Sequence, residues 1–285
     1  MNLGDPPRRV APSVWGTAVP TATLPPWRAT NAFVVGGGGV GWLVDPGGHG
    51  PEAEAAIAAL LAAADVRTLK GILLTHTHAD HVGGVLGALE RHGLREVLVH
   101  PAGVARLPAG VAGRPLTPGR RLVAGPAVVH AIATPGHASD HLAFWLDDDR
   151  VALVGDLVAG RGSTWVGVPD GDVAAYLASL ARIAALDPAI VAPSHGPLRD
   201  DGRSVLDDAR SHRLDRERAI WAALAGGPTT LDALQAAVYP DLDPAAAAFA
   251  RRSLLAHLQK LMHETRVAHL GDDERGPFAR APGGA

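Results

Sequence analysis

The chain has 285 residues, 47% of them hydrophobic and 19% charged, and a formal net charge of −3. That length accommodates one large domain, or a main domain with a small companion, and the charge gives no global attraction to nucleic acid, although a local basic face is compatible with it. The absence of cysteine excludes disulfides, a thiol nucleophile and any thiolate ligand, so a metal here must be held by His, Asp or Glu.

In chain order, Met1 to Pro20 contains Pro6, Pro7, Arg8 and Arg9 but no apolar stretch of the secretory-signal type. No run approaches the roughly eighteen apolar residues of a membrane span. A cytoplasmic location without a membrane partner is the default expectation. The segment up to Trp27 reads as an extended, Pro-rich lead-in with a short strand over Ser13–Val19. Ala32–Val35 and Gly41–Val44 read as a hairpin that ends at the turn Asp45-Pro46-Gly47-Gly48. An Ala-rich helix over Glu52–Ala64 precedes a strand over Leu69–Thr75 and a helix over His81–His92. Glu96–His100 is a short strand, and Pro101–Pro118 a surface segment. Ala127–Thr134 runs into Pro135-Gly136-His137. His141–Leu146 and Arg150–Val154 form a second hairpin ending at Gly155-Asp156. Asp172–Leu186 carries a helical apolar stripe, and the strand Ala189–Ala192 delivers Ser194-His195-Gly196.

The stretch Thr75-His76-Thr77-His78-Ala79-Asp80-His81 places three histidines and an aspartate within six residues of a strand end. His76 and His78, two apart on extended backbone, share a face, and imidazole with carboxylate is the ligand set of borderline divalent ions. The same grammar recurs along the chain: a buried strand ends and a Gly- or Pro-bearing turn presents His or Asp, at Asp45, His76–His81, His137, Asp156 and His195. Loops on a rigid scaffold are where such residues gather.

With these groups in place the sequence resembles the metallo-β-lactamase-fold hydrolases. Asp45 matches the first motif, His76-Thr77-His78-Ala79-Asp80-His81 the second, and His137, Asp156 and His195 the third to fifth. The resemblance implies an α/β fold, an αββα sandwich with two metal ions at one edge. His76, His78 and His137 would hold one ion and Asp80, His81 and His195 the other. Asp156 would bridge them, and Asp45 would orient the ligands from behind. Zinc is the first expectation, and iron or manganese also suits such ligands. The pieces Thr134–His141 and Gly155–Thr164, with the tail after His195, resemble the β-lactamase-like protein 2 family. Its members carry a small winged-helix-like domain, and some cleave single-stranded RNA while fungal relatives are acyl-carrier thioesterases. Residues 1–203 would form the hydrolase domain and 204–285 the α-rich winged-helix-like domain with a disordered tail. In the tail, helices are expected over Ser204–Ala225, from Thr229 or Thr230 to Val238, and after Asp243-Pro244 with a stripe of Phe249, Leu255, Leu258 and Met262. A strand follows over Arg266–Leu270.

Two ions about 3.5–4 Å apart would bring a bridging water towards a neutral pKa, giving a hydroxide nucleophile without a general base. Asp80 would orient it, and metal-bound water would protonate the leaving group, with His141 as a candidate acid whose plainer reading is a histidine of the core or one behind the ligands. Arg161, Ser163, Thr164 and Trp165, in the loop after Asp156, are the expected substrate contacts. The resemblance gives single-stranded RNA as the first substrate class. A small or carrier-bound acyl thioester is the alternative, which the near-neutral charge and apolar Trp165–Val168 segment suit better. A non-catalytic, nucleic-acid-binding role is disfavoured by seven ligands, since structural sites close with four. The oligomeric state is open on sequence grounds.

Overall fold

The computed structural model describes residues 1–271 and 277–282. Two sheets stack face to face with helices outside both, the αββα arrangement expected. The first sheet has the order β1 (Arg8–Ala11), β2 (Val14–Pro20), β3 (Ala29–Gly37), β4 (Val40–Val44), β5 (Thr68–Leu73), β6 (Val97–Val99) and β7 (Gly113–Pro115). The second runs β12 (Ile190–Pro193), β11 (Val151–Gly155), β10 (Leu142–Leu146), β9 (Ala127–Ala133) and β8 (Arg121–Ala124). Strands β1, β7 and β8 are additions to the sequence reading; the first two are short edge strands with exposed polar residues.

The period of two in each strand decides which layer a side chain enters. Phe33 and Val35 of β3 face the core between the sheets, as do Trp42 and Val44 of β4 and Leu142, Phe144 and Leu146 of β10. Their neighbours Ala32, Val34 and Leu43 face the outer layer of α1 (Pro51–Ala63). Ala143 and Trp145 of β10 face α4 (Val173–Ala184) on the opposite side. Every buried strand therefore packs on both faces, which explains the near-continuous apolar runs.

The helix expected over His81–His92 is broken into α2 (Ala79–Val82) and α3 (Val85–His92). Gly83 and Gly84 lie at the break because the Asp45-turn backbone passes there: a Cβ on Gly84 would stand 2.5 Å from the Gly48 carbonyl oxygen.

Beyond the sandwich, α5 (Gly202–Ala223) packs against α4 and against α6 (Leu231–Val238). Thr230 caps α6, its hydroxyl accepting from the Ala233 N–H. A single 3₁₀ turn, Pro244–Ala246, leads into α7 (Ala247–His263). The core of this part is Ile220, Leu224, Leu231, Leu234, Leu254, Leu258 and Leu261. Phe249, read from the sequence as part of the buried stripe, is 39% exposed and faces the sandwich instead. Strand β13 (Val267–His269) pairs with β14 (Phe278–Arg280). The tail expected to be disordered is therefore ordered over β14, while 272–276 and 283–285 lie outside the described residues.

Gly155 closes β11 at φ +53°, and a Cβ there would lie 2.6 Å from His141 Nε2 and 2.8 Å from Thr75 Cβ. Gly155→Ala combines left-handed strain with overpacking, and we expect it to lose roughly 2–4 kcal/mol in denaturant unfolding.

Candidate metal centre

The strand ends converge at one edge of the sandwich. Asp45 follows β4, His76 to His81 follow β5, His137 follows β9, Asp156 follows β11 and His195 follows β12. Three sets of side chains bring ligand atoms within 4.8 Å of one another: His76, His78 and His137; Asp80, His81 and His195; and His76, His81 and Asp156. All seven residues singled out as ligands are thus brought together, and Asp156 lies against both groups, with His81 Nε2 3.5 Å, His195 Nε2 3.5 Å and His137 Nε2 3.6 Å away.

The hydrogen bonds behind the ligands determine which nitrogens face inward. Asp45 is buried, and its Oδ2 accepts from the Thr75 hydroxyl at 2.6 Å and from His81 Nδ1–H at 2.8 Å. Because the Thr75 hydroxyl donates to Asp45, it accepts from His76 Nδ1–H at 3.1 Å. His137 Nδ1–H donates to the Trp165 carbonyl at 2.7 Å, and His195 Nδ1–H to the Ala29 carbonyl at 3.0 Å. In all four rings Nδ1 is the donor, so the neutral ring presents a proton-free Nε2 inward, the tautomer a metal requires.

The inward atoms lack partners of their own. His81 Nε2, His195 Nε2 and Asp156 Oδ1 are buried without a hydrogen bond among the described residues. His78 Nδ1 lies 2.9 Å from both His76 Nε2 and His137 Nε2. With the latter two proton-free, at most one hydrogen can serve those three atoms, and converging lone pairs are satisfied by a cation. The donor set fits divalent ions.

Charge follows the same plan. Burial first, then neighbouring imidazoles, holds His76 and His141 well below the ordinary histidine value and brings His78 down to about 4. Burial also pulls on His81, but the Asp45 and Asp156 carboxylates outweigh it and raise its pKa well above normal. His195 is raised against burial by the Asp156 charge and by the Asp80 carboxylate 3.3 Å from its Nε2. Burial would raise Asp80 and Asp156. The His195 ring, 3.3 Å away, and the His81 charge hold Asp80 low, while the charges of His195 and His81 hold Asp156 low.

His141 lies in this cluster behind the ligands, its plainer reading, and not as the candidate acid. Its Nε2 accepts the Asp156 backbone N–H at 3.0 Å, so Nδ1–H donates to the Thr134 hydroxyl at 2.8 Å. Both nitrogens are occupied and the ring is buried, so His141 positions Asp156.

An open cleft of about 1070 Å³ lies over the centre. Arg161, Ser163, Thr164 and Trp165 form one wall, as the sequence suggested. The opposite wall was not foreseen: it is the N-terminal lead-in, with Pro6, Arg8, Thr23, Leu24 and Trp27. Thr23 donates its hydroxyl to Asp80 Oδ2 at 2.5 Å. No local motif marks Thr23, because the contact spans 57 positions.

Comparison with known proteins agrees with this geometry. Residues 25–195 match the model of the metallo-beta-lactamase superfamily, and 230–276 that of the beta-lactamase-associated winged helix domain. An atrochrysone carboxyl ACP thioesterase of Aspergillus fumigatus is 31% identical over 69% of this chain and 44% of its own length. A beta-lactamase-like protein 2 homologue of Caenorhabditis elegans is 30% identical over 69% of this chain and 66% of its own. The matched stretch is thus less than two thirds of either relative. Among solved structures, a metallo-beta-lactamase family protein of Thermus thermophilus superposes with a TM-score of 0.76 at 26% identity, covering 95% of this chain and all of the other. A second, solved in a di-iron-bound form, gives 0.53 at 30% identity over 65% of this chain and 96% of that one.

Asp45→Ala removes the acceptor of His81 Nδ1–H. Metal affinity should fall roughly 10–100-fold, read by competition with a chromophoric chelator; unchanged affinity would refute the orienting role. A second outcome concerns pH. His78 titrates near 4 in the folded chain and near 6.5 when unfolded, so its contribution to stability is complete above about 6.5 and is lost as pH falls towards 4. In metal-stripped protein the denaturation midpoint at pH 5, measured against that at pH 7, should therefore lie relatively higher in His78→Asn than in the wild type.

Proposed function

The chain belongs to the metallo-β-lactamase superfamily and is a hydrolase, and on that premise we propose that it cleaves acyl thioesters at a two-ion centre. One ion would be held by His76, His78 and His137 and the other by Asp80, His81 and His195, with Asp156 between them. Zinc fits the imidazole-rich set, as do iron and manganese. Divalent ions held there supply Lewis-acid polarisation of a carbonyl and a water acidified towards neutral pH.

The observation that carries the substrate class is the lining of the cleft. Apart from the ligand set, its walls are mostly apolar, with Pro6, Ala18, Ala22, Leu24, Pro25, Pro26, Trp27, Trp165, Pro197 and Leu198, and its charged side chains are Arg8, Arg161 and Asp5. Two arginines beside an acid suit an acyl chain and its carrier arm better than a polyanion, whose binding rests on neutralising several phosphates.

The remaining residues act by holding and orienting. Thr23 and His195 fix the Asp80 carboxylate, which stays ionised and accepts rather than donates a proton at neutral pH. Asp45 fixes His81, and the Trp165 carbonyl fixes His137. With His141 committed to Asp156 and Thr134, neither of its nitrogens is free to protonate a leaving group. A thiol leaving group, with a pKa near 8.5, departs without strong protonation; an alkoxide does not. Cleavage of single-stranded RNA, the first expectation from the family resemblance, ranks second on both counts.

A panel of acyl-pantetheine thioesters of different chain length, assayed by free-thiol release, and a single-stranded RNA oligonucleotide test this reading. We expect metal-dependent thioester turnover, at least about 10³-fold reduced in Asp156→Ala, and intact RNA. Metal-dependent RNA cleavage without thioester hydrolysis would overturn it.

A further inference from the structure

The outer partners of the two candidate ion positions come from different parts of the chain. Around Asp80, His81 and His195 they are Thr23, Asp45 and the Ala29 carbonyl, all within the sandwich. Around His76, His78 and His137, the His137 ring is held by the Trp165 carbonyl. The loop bearing Trp165 is itself clamped by the C-terminal helices. The Trp165 indole N–H donates to the Phe249 carbonyl of α7 at 3.1 Å, and its ring meets the Phe249 ring edge-on at 5.6 Å. One residue earlier, the Thr164 carbonyl accepts from the Arg213 guanidinium of α5. Three residues later, the Val168 N–H donates to the Arg252 carbonyl at 3.2 Å.

Arg213 sharpens the point. Its side chain is 3% exposed and makes no ion pair among the described residues. A buried guanidinium is costly without partners, and the Thr164 carbonyl and the Tyr176 ring face, 5.3 Å away, are those it has. The contact between α5 and the loop is therefore a fixed feature of the fold rather than a surface accident.

We propose that the winged-helix domain sets the affinity of one metal position and not the other, with Trp165 as the positioning residue that carries the effect to His137. The inference rests on the two-ion reading above. Trp165 sees the domain through its side chain and His137 through its backbone, so displacing α7 rotates the peptide that holds the His137 ring. Among the described residues the Asp80 side has no such connection, because its supports lie in the lead-in and the first sheet.

The test uses the full chain, stripped with a chelator and titrated with zinc against a chromophoric competitor. The wild type should take up two ions. Phe249→Ala, and Trp165→Phe, which keeps the carbonyl and a ring but deletes the indole donor, should each weaken one ion by roughly tenfold and leave the other unchanged. The untouched affinity should be the one that survives in His137→Ala. Thr23→Val should do the converse, weakening the ion that Phe249→Ala spares. Melting of the metal-free variants within a few degrees of wild type confirms folding. Equal weakening of both ions, or of neither, in Phe249→Ala and Trp165→Phe overturns the inference. A wild type that binds a single ion overturns the two-ion reading and the inference with it.

Discussion

The architecture depends on one buried carboxylate. Asp45, 1% exposed and at φ +46°, receives the Thr75 N–H and hydroxyl, His81 Nδ1–H and the Ser194 hydroxyl. Those donors belong to the ends of β5 and β12 and to α2, so a single side chain ties together strand ends from both sheets. A buried charge is tolerated only when its oxygens are fully engaged, and four donors do that. The same bonds fix the tautomers of His76, through Thr75, and of His81 directly. Scaffold and chemistry share one constraint.

What the sequence could disclose follows from the range of the interactions involved. Strand runs, the helix stripe of α4 and the ligand turns are local patterns, and each appears in the structure within three residues of its expected bounds. His76-x-His78-x-Asp80-His81 was legible as a metal motif because its ligand atoms are brought together by a single turn. Thr23, the Ala29 carbonyl and the Trp165 carbonyl were not, since a hydrogen bond spanning dozens of residues, or one made by the backbone, leaves no mark on composition. His141 illustrates the converse. From the sequence it could be either an acid or a histidine behind the ligands, and two hydrogen bonds, to Thr134 and from the Asp156 N–H, decide for the latter. Phe249 fitted the period of a buried stripe, yet tertiary packing turned it towards Trp165.

The cleft also draws its two walls from unlike sources. The loop after Asp156 was visible as a Gly-rich segment, whereas the Pro-rich lead-in has no period and gave no sign of lying over the ligands. Proline there restricts φ and reduces the conformational freedom lost on ordering. A wall built this way is shaped before any substrate arrives, and side chains such as Trp27 and Leu24 define the space over the ligands.

The division of ligands between the sheets has a consequence for biosynthesis. By the time His81 has emerged from a ribosome, four of the seven candidate ligands are present, all carried by the first sheet and its turn. Neither set is complete at that stage: one waits for His137 and the other for His195, both carried by the second sheet. A nascent chain thus exposes a cation-hungry half-site through more than a hundred residues of further synthesis. Tight retention of ions begins only when the second sheet docks. Loading is thereby a late event, and an ion held firmly reports a sandwich that has closed.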